Sequence, residues 1–552
     1  MRLLFVARHF TYFRNFEGVV RLLAERGHRV HLAAERDEAL GGRELVDRLA
    51  AASPSVTVGH VPPRADERWF EIATVIRRSL DYLRYSDSLY DRAPKIRERA
   101  WERTPQLAVS LARLPGRRVI ERALAVMDRA LPTDVAIDTF LDEQRPDVVL
   151  LSPLIELGSP QADMLKAAQR RGVRTAVAIW SWDHLSSKAR LRWLPDRVLV
   201  WNDTQRREAV DLHGVPSERV VTTGAQCFDH WFGRRPSRSR EEFCHQVGLD
   251  PARPFFLYVC SALFRGTPSE GEFVCRWADR VRRSPLQAVR DAGILVRPHP
   301  QRMYEWDALQ LPAGVAFLGG HPIDQRGRDD YFDSMYHAAA VVGLNTSALI
   351  ECAIVDRPVL TMLLPEFRES QRGTLHFPYL LDGPYAMLHA AGDFDEHIAH
   401  LDAALAGRLP NRNLAFVHHF IRPHGLDRAA TPVFVDALES HAASQEPAPQ
   451  RRAMSEAIWI PLVRAWHAAA ERPSVRWMML ETAHVVEERD RAKRIADKQA
   501  RRRAHVEERR TRVDAKEERY RVKRRHQRMV QLKTAVRRVL AAGAGGRAGS
   551  QS

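Results

Sequence analysis

Residues 340–362 read AVVGLNTSALIECAIVDRPVLTM, and the periodicity of this stretch decides the fold. A short apolar run ends at Gly343, a helical pattern follows, and a second apolar run begins at Pro358. Two short apolar runs joined by one helix are typical of a βαβ unit with parallel strands. The stretch therefore predicts an α/β fold built on a parallel sheet.

The same alternation of apolar runs and helical stretches extends over most of the chain. The runs downstream of position 250 include FFLYVC, ILVRPHP and VAFLG, and those upstream begin with LLFVA at residues 3–7. This alternation predicts two doubly wound, Rossmann-like domains at residues 1–235 and about 250–440, with ligands at the carboxyl ends of their strands. Residues 65–131 have helical spacing and form a predicted helical insertion in the first domain.

The composition indicates a folded protein of a reducing compartment. A chain of 552 residues is too long to fold around one hydrophobic core of ordinary size. Its content of 45% apolar side chains is typical of a folded protein. Five cysteines stand far apart without a CxxC pair, a pattern that argues against a zinc cluster or a disulfide framework. The first residues enter a strand pattern directly rather than a signal peptide, and no stretch of about 18 apolar residues occurs. We therefore expect a cytoplasmic protein without a membrane span.

The net charge of +16 is concentrated near the carboxyl terminus. Residues 491–540 contain 20 Lys and Arg against 6 Asp and Glu, so this segment carries 14 of the 16 net positive charges. We predict a basic helical extension at residues 451–541 and a disordered tail at 542–552. The extension suits an anionic membrane surface, or a partner helix, or a solvated arm. Nucleic-acid binding is not expected of the nearly neutral body and would be confined to the tail.

The turn after the apolar run at 341–342 has the chemistry of a phosphate site. Gly343 permits a tight turn, and Asn345, Thr346 and Ser347 then offer capping side chains and free backbone N–H groups at a helix start. Glu351 follows Ser347 by four residues, so both side chains share one helix face and could contact one nucleotide. The alternative is a helix that is merely capped here, with a solvated glutamate.

A second candidate segment is ILVRPHP at residues 294–300. Its apolar run ends in Arg297 and His299, which two prolines hold at the edge of the sheet. These cations could neutralise a leaving diphosphate, and no acidic metal-binding motif accompanies them, so we expect no metal ion in the reaction. The alternative is a rigid turn in which His299 bonds only to its neighbours.

A third candidate is WSWDHLSSKAR at residues 180–190, directly after the run TAVAI. Asp183 or His184 could accept the proton of an acceptor hydroxyl, and Lys188 could bind phosphate. The alternative is structural, with the tryptophan rings covering the domain edge and Asp183 capping a short helix.

The loop RHFTYFRNF at residues 8–16 is the fourth candidate. It lacks the GxGxxG sequence of dinucleotide-binding folds, which argues against a nicotinamide or flavin cofactor. Arg8, His9 and Arg14 make it a positive, aromatic-lined mouth that could receive an anionic acceptor. The alternative is a loop whose aromatic rings pack under the sheet.

With these four motifs placed, the chain resembles the GT-B superfamily over about residues 1–440. Within it the resemblance is to the CDP-glycerol glycerophosphotransferase-like group, with some likeness to UDP-N-acetylglucosamine 2-epimerases. Trp182 and Lys188 match that group's tryptophan-histidine-glycine-threonine loop ending in lysine, whereas Asp183 occupies the position of the histidine. The resemblance thus implies a base role for Asp183 or for the neighbouring His184.

Three other segments carry the same resemblance. Residues 222–229, TTGAQCFD, are similar to the strand end that precedes the interdomain linker, and residues 297–300 are similar to the basic HP turn. Thr346 and Ser347 resemble the paired phosphate-binding hydroxyls of the group. Glu351 is more similar to the acid of nucleotide-sugar enzymes, which holds the ribose.

The resemblance implies a GT-B fold with a deep cleft between an acceptor domain and a nucleotide-donor domain. The implied activity is metal-independent and cofactor-independent transfer of a glycosyl or polyol-phosphate group from a nucleotide-activated donor to a hydroxyl acceptor. The acceptor passes His9 to reach the base, and a lipid-linked acceptor fits cell-surface polysaccharide or glycolipid synthesis by a peripheral membrane enzyme.

Two other function classes fit the same residues. A UDP-sugar 2-epimerase-like enzyme needs no acceptor and interconverts its nucleotide-sugar. A non-catalytic nucleotide- or nucleic-acid-binding protein, acting through the basic tail, shows affinity without turnover.

Overall fold

The computed structural model describes residues 1–37, 41–105, 108–109, 115–320, 325–445, 447–450, 454–482, 525, 528–529 and 532–538. Within these residues the first domain holds a seven-stranded sheet in the order β3-β2-β1-β4-β5-β6-β7, and every pairing in it is parallel. Its strands are β1 Arg2–His9, β2 Arg29–Arg36, β3 Val56–His60, β4 Val148–Ser152, β5 Arg174–Ala178, β6 Arg197–Val200 and β7 Val220–Thr222.

The second domain holds a six-stranded parallel sheet in the order β10-β9-β8-β11-β12-β13. Its strands are β8 Phe255–Val259, β9 Gly293–Arg297, β10 Val315–Phe317, β11 Ala340–Val342, β12 Val359–Met362 and β13 His389–Ala391. The two sheets confirm the predicted α/β class with two doubly wound domains. Helices lie on both faces of each sheet, and the strand interiors are buried, as parallel strands require.

Helices connect the strands throughout. Those before the second sheet are α1 Glu17–Glu25, α2 Gly42–Ala52, α3 Glu67–Arg84, α4 Pro94–Glu102, α5 Arg117–Ala130, α6 Val135–Gln144, α7 Gln161–Arg170, α8 His184–Ser187, α9 Asp203–His213 and α10 Arg240–Val247. Those that follow are α11 Glu270–Arg282, α12 Gln287–Asp291, α13 Gln325–Tyr336, α14 Ala348–Ile354, α15 Pro378–Leu381, α16 Phe394–Leu405, α17 Asn413–Phe416, α18 Ala430–Ala443, α19 Met454–Ala457, α20 Ile460–Ala469 and α21 Pro473–Leu480.

Helix α18 returns to the first domain and packs against α1. Its apolar residues Phe434, Val435 and Leu438 are buried in the same core as β1. The sequence assigned residues up to about 440 to the second domain, so the last of these residues lie on the other domain in the structure. The chain therefore crosses between the domains twice, at residues 232–239 and 422–429.

Asp229 binds the second crossing to the end of the first domain. One carboxylate oxygen accepts hydrogen bonds from Nη2 of Arg422 at 2.8 Å and from the backbone N–H of Ala430 at 3.0 Å. The other oxygen accepts the backbone N–H of Thr431 at 2.6 Å. Gly224 approaches the same segment with φ +83°, and a Cβ there would lie 2.8 Å from the Cβ of Ala430. Arg422 also lies over the ring of Phe232 in the first crossing at 3.4 Å, so the two crossings are in contact.

The predicted helical insertion consists of α3, α4 and α5 and contains a buried ion cluster. The side chain of Arg77 is fully buried; its Nε donates to Asp128 Oδ1 at 2.9 Å and its Nη2 donates to Asp163. Burial alone would raise the pKa of each carboxyl, but the guanidinium of Arg77 outweighs it and lowers both. The cluster joins the insertion to α7 of the first domain.

Helices α20 and α21 pack on the insertion. Val463, Ala470 and Met479 are buried among apolar residues of α3 and α5, and the indole N–H of Trp466 donates to the sulfur of Met479 at 2.9 Å. Trp466 is therefore engaged inside the chain. By contact density the chain divides after Glu481.

Most of the predicted basic extension and the whole tail at 542–552 lie outside the described residues. Within the residues that are described, no helix combines the length and the apolar character needed to cross a bilayer.

Candidate functional site

Tyr331 joins the two segments that the sequence proposed as the donor site. It lies in α13 beneath the carboxyl ends of β9 and β11. The guanidinium of Arg297 stacks over its ring at 4.9 Å, and its hydroxyl donates a hydrogen bond to Oε2 of Glu351. Arg297 and Glu351 thus contact the same side chain, although they are far apart in sequence.

Arg297 is a buried cation with an unused donor. The residue is 7% exposed, and its Nη1 is buried without a hydrogen-bond partner among the described residues. Burial lowers the pKa of Arg297, and Tyr331, Asp330 and Glu351 oppose that shift. A guanidinium remains charged at neutral pH even when its pKa falls, so the group presents positive charge at this strand end.

Glu351 titrates near neutrality. Burial raises its pKa to about 7, while the hydrogen bond from Tyr331 and the positive charges of Arg14 and Arg297 act in the opposite direction. Arg14 belongs to the first domain, so its electrostatic influence places the loop at residues 8–16 across from the donor segments. The two loops therefore lie near each other, at the carboxyl ends of the two sheets.

The helix start at 345–347 differs in detail from the prediction. The backbone N–H of Asn345 donates to Oγ of Ser261 at 3.0 Å, and its side-chain amide donates to the carbonyl of Ser370 at 2.5 Å. Oγ1 of Thr346 accepts the N–H of Ala348 at 3.4 Å, whereas the exposed Ser347 makes no capping bond. Only Thr346 therefore fulfils the predicted capping role, because Asn345 is bound to the neighbouring loops.

Close packing around position 343 requires glycine there. A Cβ at this position would lie 2.9 Å from the carbonyl oxygen of Val259 and 3.1 Å from the side chain of Leu349. The strand-to-helix turn follows the adjacent strand β8 too closely to admit a side chain.

His299 begins the short 3-10 helix Pro300–Glu305. Its Nδ1 accepts a hydrogen bond from the backbone N–H of Gln301 at 3.2 Å. This is the kind of local bond expected if residues 297–300 form a rigid turn. The imidazole is partly exposed at the same strand end as Arg297.

In the first domain, the loop at 8–16 and the loop at 180–190 meet at the carboxyl ends of β1 and β5. The ring of Tyr12 lies 4.4 Å from His9 and 5.3 Å from Trp180, and Trp180 lies 4.9 Å from His184. Glu156, which follows β4, completes the cluster. It accepts Nη1 of Arg8 at 2.7 Å and the hydroxyl of Tyr12 at 3.2 Å.

The loop at 8–16 has a buried aromatic side and an exposed polar side. Residues Phe10–Phe16 form a 3-10 helix, and Phe13 and Phe16 pack edge-on against Phe5 at 5.1 and 4.9 Å. The aromatic rings are therefore core residues, as the alternative proposed. Arg14 is exposed and leaves the polar edge of the helix available to the cleft.

Asp183 is held as an anion. Its carboxylate accepts Oγ of Ser181 at 2.6 Å and forms an ion pair with Nζ of Lys188 at 3.0 Å. Burial alone would raise the pKa of Asp183, but Lys188 and the histidines His376 and His184 lower it below its ordinary value. Both oxygens are engaged and weakly basic, so Asp183 is better suited to hold Lys188 than to take up a proton.

His184 begins α8 and is 4% exposed. Burial lowers its pKa to about 4, although the nearby Asp183 acts in the opposite direction. The imidazole is therefore neutral at physiological pH, and its Nδ1 is buried without a hydrogen-bond partner among the described residues. A neutral imidazole is the protonation state that a proton acceptor requires.

Several residues of this region were not found from the sequence. His376 of the second domain contacts Ser187 through Nδ1 at 3.0 Å and Trp182 at 4.5 Å between ring centroids. Tyr379 donates its hydroxyl to Glu208 of α9. Of these residues, Glu156 could have been found from the sequence, because it follows the carboxyl end of a predicted strand. His376, Tyr379 and Glu208 stand in no local motif.

The buried carboxyl group of Glu208 should make the free energy of unfolding depend on pH. Burial raises its pKa from 4.5 to about 8. The stability that this group contributes is therefore fully present below the unfolded-state value and is lost as pH rises through about 8. We expect Glu208→Gln to gain stability relative to wild type as pH rises from about 5 to about 8, by on the order of 1 kcal/mol or more.

Thermal unfolding of both proteins across this pH range measures the difference. Glu218→Gln, at an exposed position of the same domain, is the matched control. A stability difference that stays constant with pH would contradict the assignment.

Within the described residues, no group of three or more His, Cys, Asp or Glu side chains is placed to hold a metal ion. The two parallel domains, their facing carboxyl edges and the helix that returns to the first domain together define the GT-B architecture.

Solved structures similar to this chain include sugar-nucleotide enzymes. UDP-GlcNAc 2-epimerase from Neisseria meningitidis, bound to UDP-GlcNAc, is 11% identical at TM-score 0.46, covering 80% of this chain and 100% of that one. The UDP-GlcNAc 2-epimerase from Methanocaldococcus jannaschii is 10% identical at TM-score 0.47, with coverages of 80% and 100%. A glycosyltransferase from Rickettsia africae is 8% identical at TM-score 0.47, with coverages of 80% and 99%. Neither a protein-family profile nor a curated protein sequence matches this chain.

Proposed function

We propose that this protein transfers a glycosyl or polyol-phosphate group from a nucleotide-activated donor to a hydroxyl acceptor. The observation that carries the proposal is the buried guanidinium of Arg297, whose Nη1 has no partner among the described residues at the carboxyl end of β9. A buried donor without a partner is costly in a folded protein unless a ligand uses it. An anionic oxygen of a nucleotide diphosphate satisfies both its charge and its hydrogen bond.

The second domain provides the donor site. Arg297 holds the phosphates, with His299, Asn345, Thr346 and Ser347 around the same strand ends. Oε2 of Glu351 accepts the hydroxyl of Tyr331, and its carboxyl group offers a second oxygen to a ribose hydroxyl. Arg14 approaches from the opposite domain and adds positive charge when the cleft is closed.

The first domain provides the acceptor side. The acceptor hydroxyl gives its proton to the neutral imidazole of His184 and its oxygen bonds to the transferred carbon or phosphorus atom. The bond from that atom to the donor phosphate oxygen breaks, and the nucleotide leaves with the electron pair. Arg297 stabilises the charge of the leaving group, and Lys188, held by Asp183, adds a second cation. His9 and Arg8 line the approach to this point.

The surface of α19 to α21 supports a placement beside an anionic membrane, near a lipid-linked acceptor of cell-envelope synthesis. Ile458, Leu462 and Trp477 are 77%, 51% and 55% exposed, and the basic segment at 491–540 follows them in the chain. Exposed apolar side chains followed in sequence by clustered Lys and Arg are typical of peripheral attachment. The inner face of the cell membrane is the proposed location.

Replacement of Arg297 tests the proposal. We expect Arg297→Met to lower kcat/KM by about 10²- to 10³-fold, because a charge-stabilising donor to the leaving group is lost. The assay follows nucleotide release from UDP-sugars and CDP-glycerol, with and without hydroxyl acceptors. Nucleotide-induced thermal stabilisation should disappear in the same variant.

Arg283→Met is the matched control, since Arg283 is 76% exposed and pairs with Asp279 one turn away. Unchanged turnover and nucleotide affinity in Arg297→Met would refute the donor site. Conversion of a nucleotide-sugar without any acceptor would instead establish an epimerase.

A further inference from the structure

A cavity lies at the edge of the first sheet that is opposite the candidate site. Its volume is about 210 Å³, and two residues that line it, Leu194 and Arg219, stand just before strands β6 and β7, three residues and one residue ahead of them. The cavity is therefore at the amino ends of the strands, whereas the cleft residues lie at the carboxyl ends. Helix α5 contributes Ala125 to its wall, and α7 contributes Gln169.

Two buried polar atoms of opposite hydrogen-bonding role belong to residues that line this cavity. Gln169 is 3% exposed, and its side-chain N–H donates to the carbonyl of Leu194 at 2.7 Å. That bond fixes the amide and leaves Oε1 buried without a partner among the described residues. Nε of Arg192 is likewise a buried donor without a partner. A ligand with both a donor and an acceptor satisfies the pair.

The charge at the cavity wall is positive. The carboxylate of Asp128 is already engaged, since Nε of Arg77 and Nε1 of Trp193 each donate to it at 2.9 Å. Arg129 has an acidic partner in Glu456 at 3.6 Å, and Arg192 has one in Asp81. Among the residues that the structure describes, Arg219 has no carboxylate within 4.0 Å; it donates only a long bond of 3.4 Å to the carbonyl of Pro195.

We propose that this cavity binds a small anion that carries hydroxyl groups, of the sugar-phosphate or polyol-phosphate class. The anionic oxygens pair with Arg219 and Nε of Arg192, and a ligand hydroxyl donates to Oε1 of Gln169. The volume is below the roughly 300–1,000 Å³ of sites for drug-sized ligands. It corresponds to the space of about seven water molecules, which suits a ligand of this size.

The cavity is connected to the loop that carries His184 and Lys188. Arg192 pairs with Asp81 of α3, and the same carboxylate accepts the backbone N–H of Arg190 at 3.2 Å. One turn further along α3, Nη1 of Arg84 donates to the carbonyl of Lys188 at 2.9 Å. A ligand bound to Arg192 therefore influences the position of the loop through Asp81 and Arg84. On the proposed function, it modulates transfer without competing with the nucleotide donor.

Calorimetric titration of the full chain tests the site. The probes are glucose 1-phosphate and glycerol 3-phosphate, with inorganic phosphate, glucose and glycerol for comparison. We expect a dissociation constant of about 1 mM or tighter for the phosphorylated polyols, and weaker binding of the others. Ala125→Phe fills the cavity and should weaken binding at least about 10-fold, and Arg219→Ala should weaken it by a similar factor.

Two controls separate this site from the cleft. Arg122→Ala, at an exposed position of the same helix α5, should bind as wild type does. Arg297→Met should also retain binding, whether or not the protein proves to be a transferase. The proposal is overturned by no binding at about 10 mM ligand, by unchanged affinity in Arg219→Ala, or by loss of binding in Arg297→Met. Equal affinity for neutral polyols would overturn the charge assignment.

Discussion

Replacement of His184 by asparagine is expected to lower kcat by about 10²- to 10⁴-fold, the range that positioned proton acceptors contribute. His184 is neutral above its pKa of about 4 and lies at the carboxyl end of β5 beside Trp180. Asparagine keeps a polar side chain in the pocket but cannot take up the proton. The affinity for the nucleotide should change little, because the donor residues belong to the second domain.

The pH profile gives a second measurement of the same role. Wild-type kcat should be independent of the His184 group above about pH 5 and should fall as the imidazole protonates at about pH 4. Added imidazole should restore part of the activity of His184→Asn. His245→Asn, on the exposed surface of α10, is the control. Full activity of His184→Asn together with inactive Asp183→Asn would transfer the base role to Asp183.

Replacement of Arg77 by methionine is expected to lower the free energy of unfolding by about 3–5 kcal/mol. Arg77 is fully buried between Asp128 and Asp163, so its loss leaves two buried carboxylates without their principal counter-ion. Chemical denaturation of the two proteins measures the difference.

The control for this prediction is Arg43→Met on α2. Arg43 is 50% exposed and pairs with Asp47 at 3.0 Å one turn away, so its removal should cost less than about 1 kcal/mol. Arg77→Met should recover stability at low pH relative to wild type, because protonation removes the uncompensated charges. Equal stability of Arg77→Met and wild type would show that the cluster does not support the fold.

Much of the fold could be predicted from the sequence, because buried parallel strands are continuous apolar runs. Both parallel sheets were found in this way. Strands β3 and β13 were missed because each is at the edge of its sheet and carries exposed or polar residues. The return of α18 could not be predicted, since helical periodicity does not tell which of two domains receives the apolar stripe.

The candidate site was predictable where residues stand together in sequence. Asp183, His184 and Lys188 form one loop, and Arg297 stands at the end of one strand. Their partners Tyr331 and His376 come from other parts of the chain, and the packing of the second domain brings them there. A motif can indicate which residues carry charge, but the ion pair that makes Asp183 weakly basic requires three-dimensional information.

The double connection between the domains has a consequence for substrate exchange. Asp229, at the end of the first domain, holds Arg422 of the second connecting segment, and Arg422 lies over the ring of Phe232 in the first, so the two segments lie side by side. We therefore expect any relative movement of the domains to be a rotation about an axis near Asp229 rather than a shear. On the proposed function, one such rotation returns Arg14 towards Glu351 after each release of product.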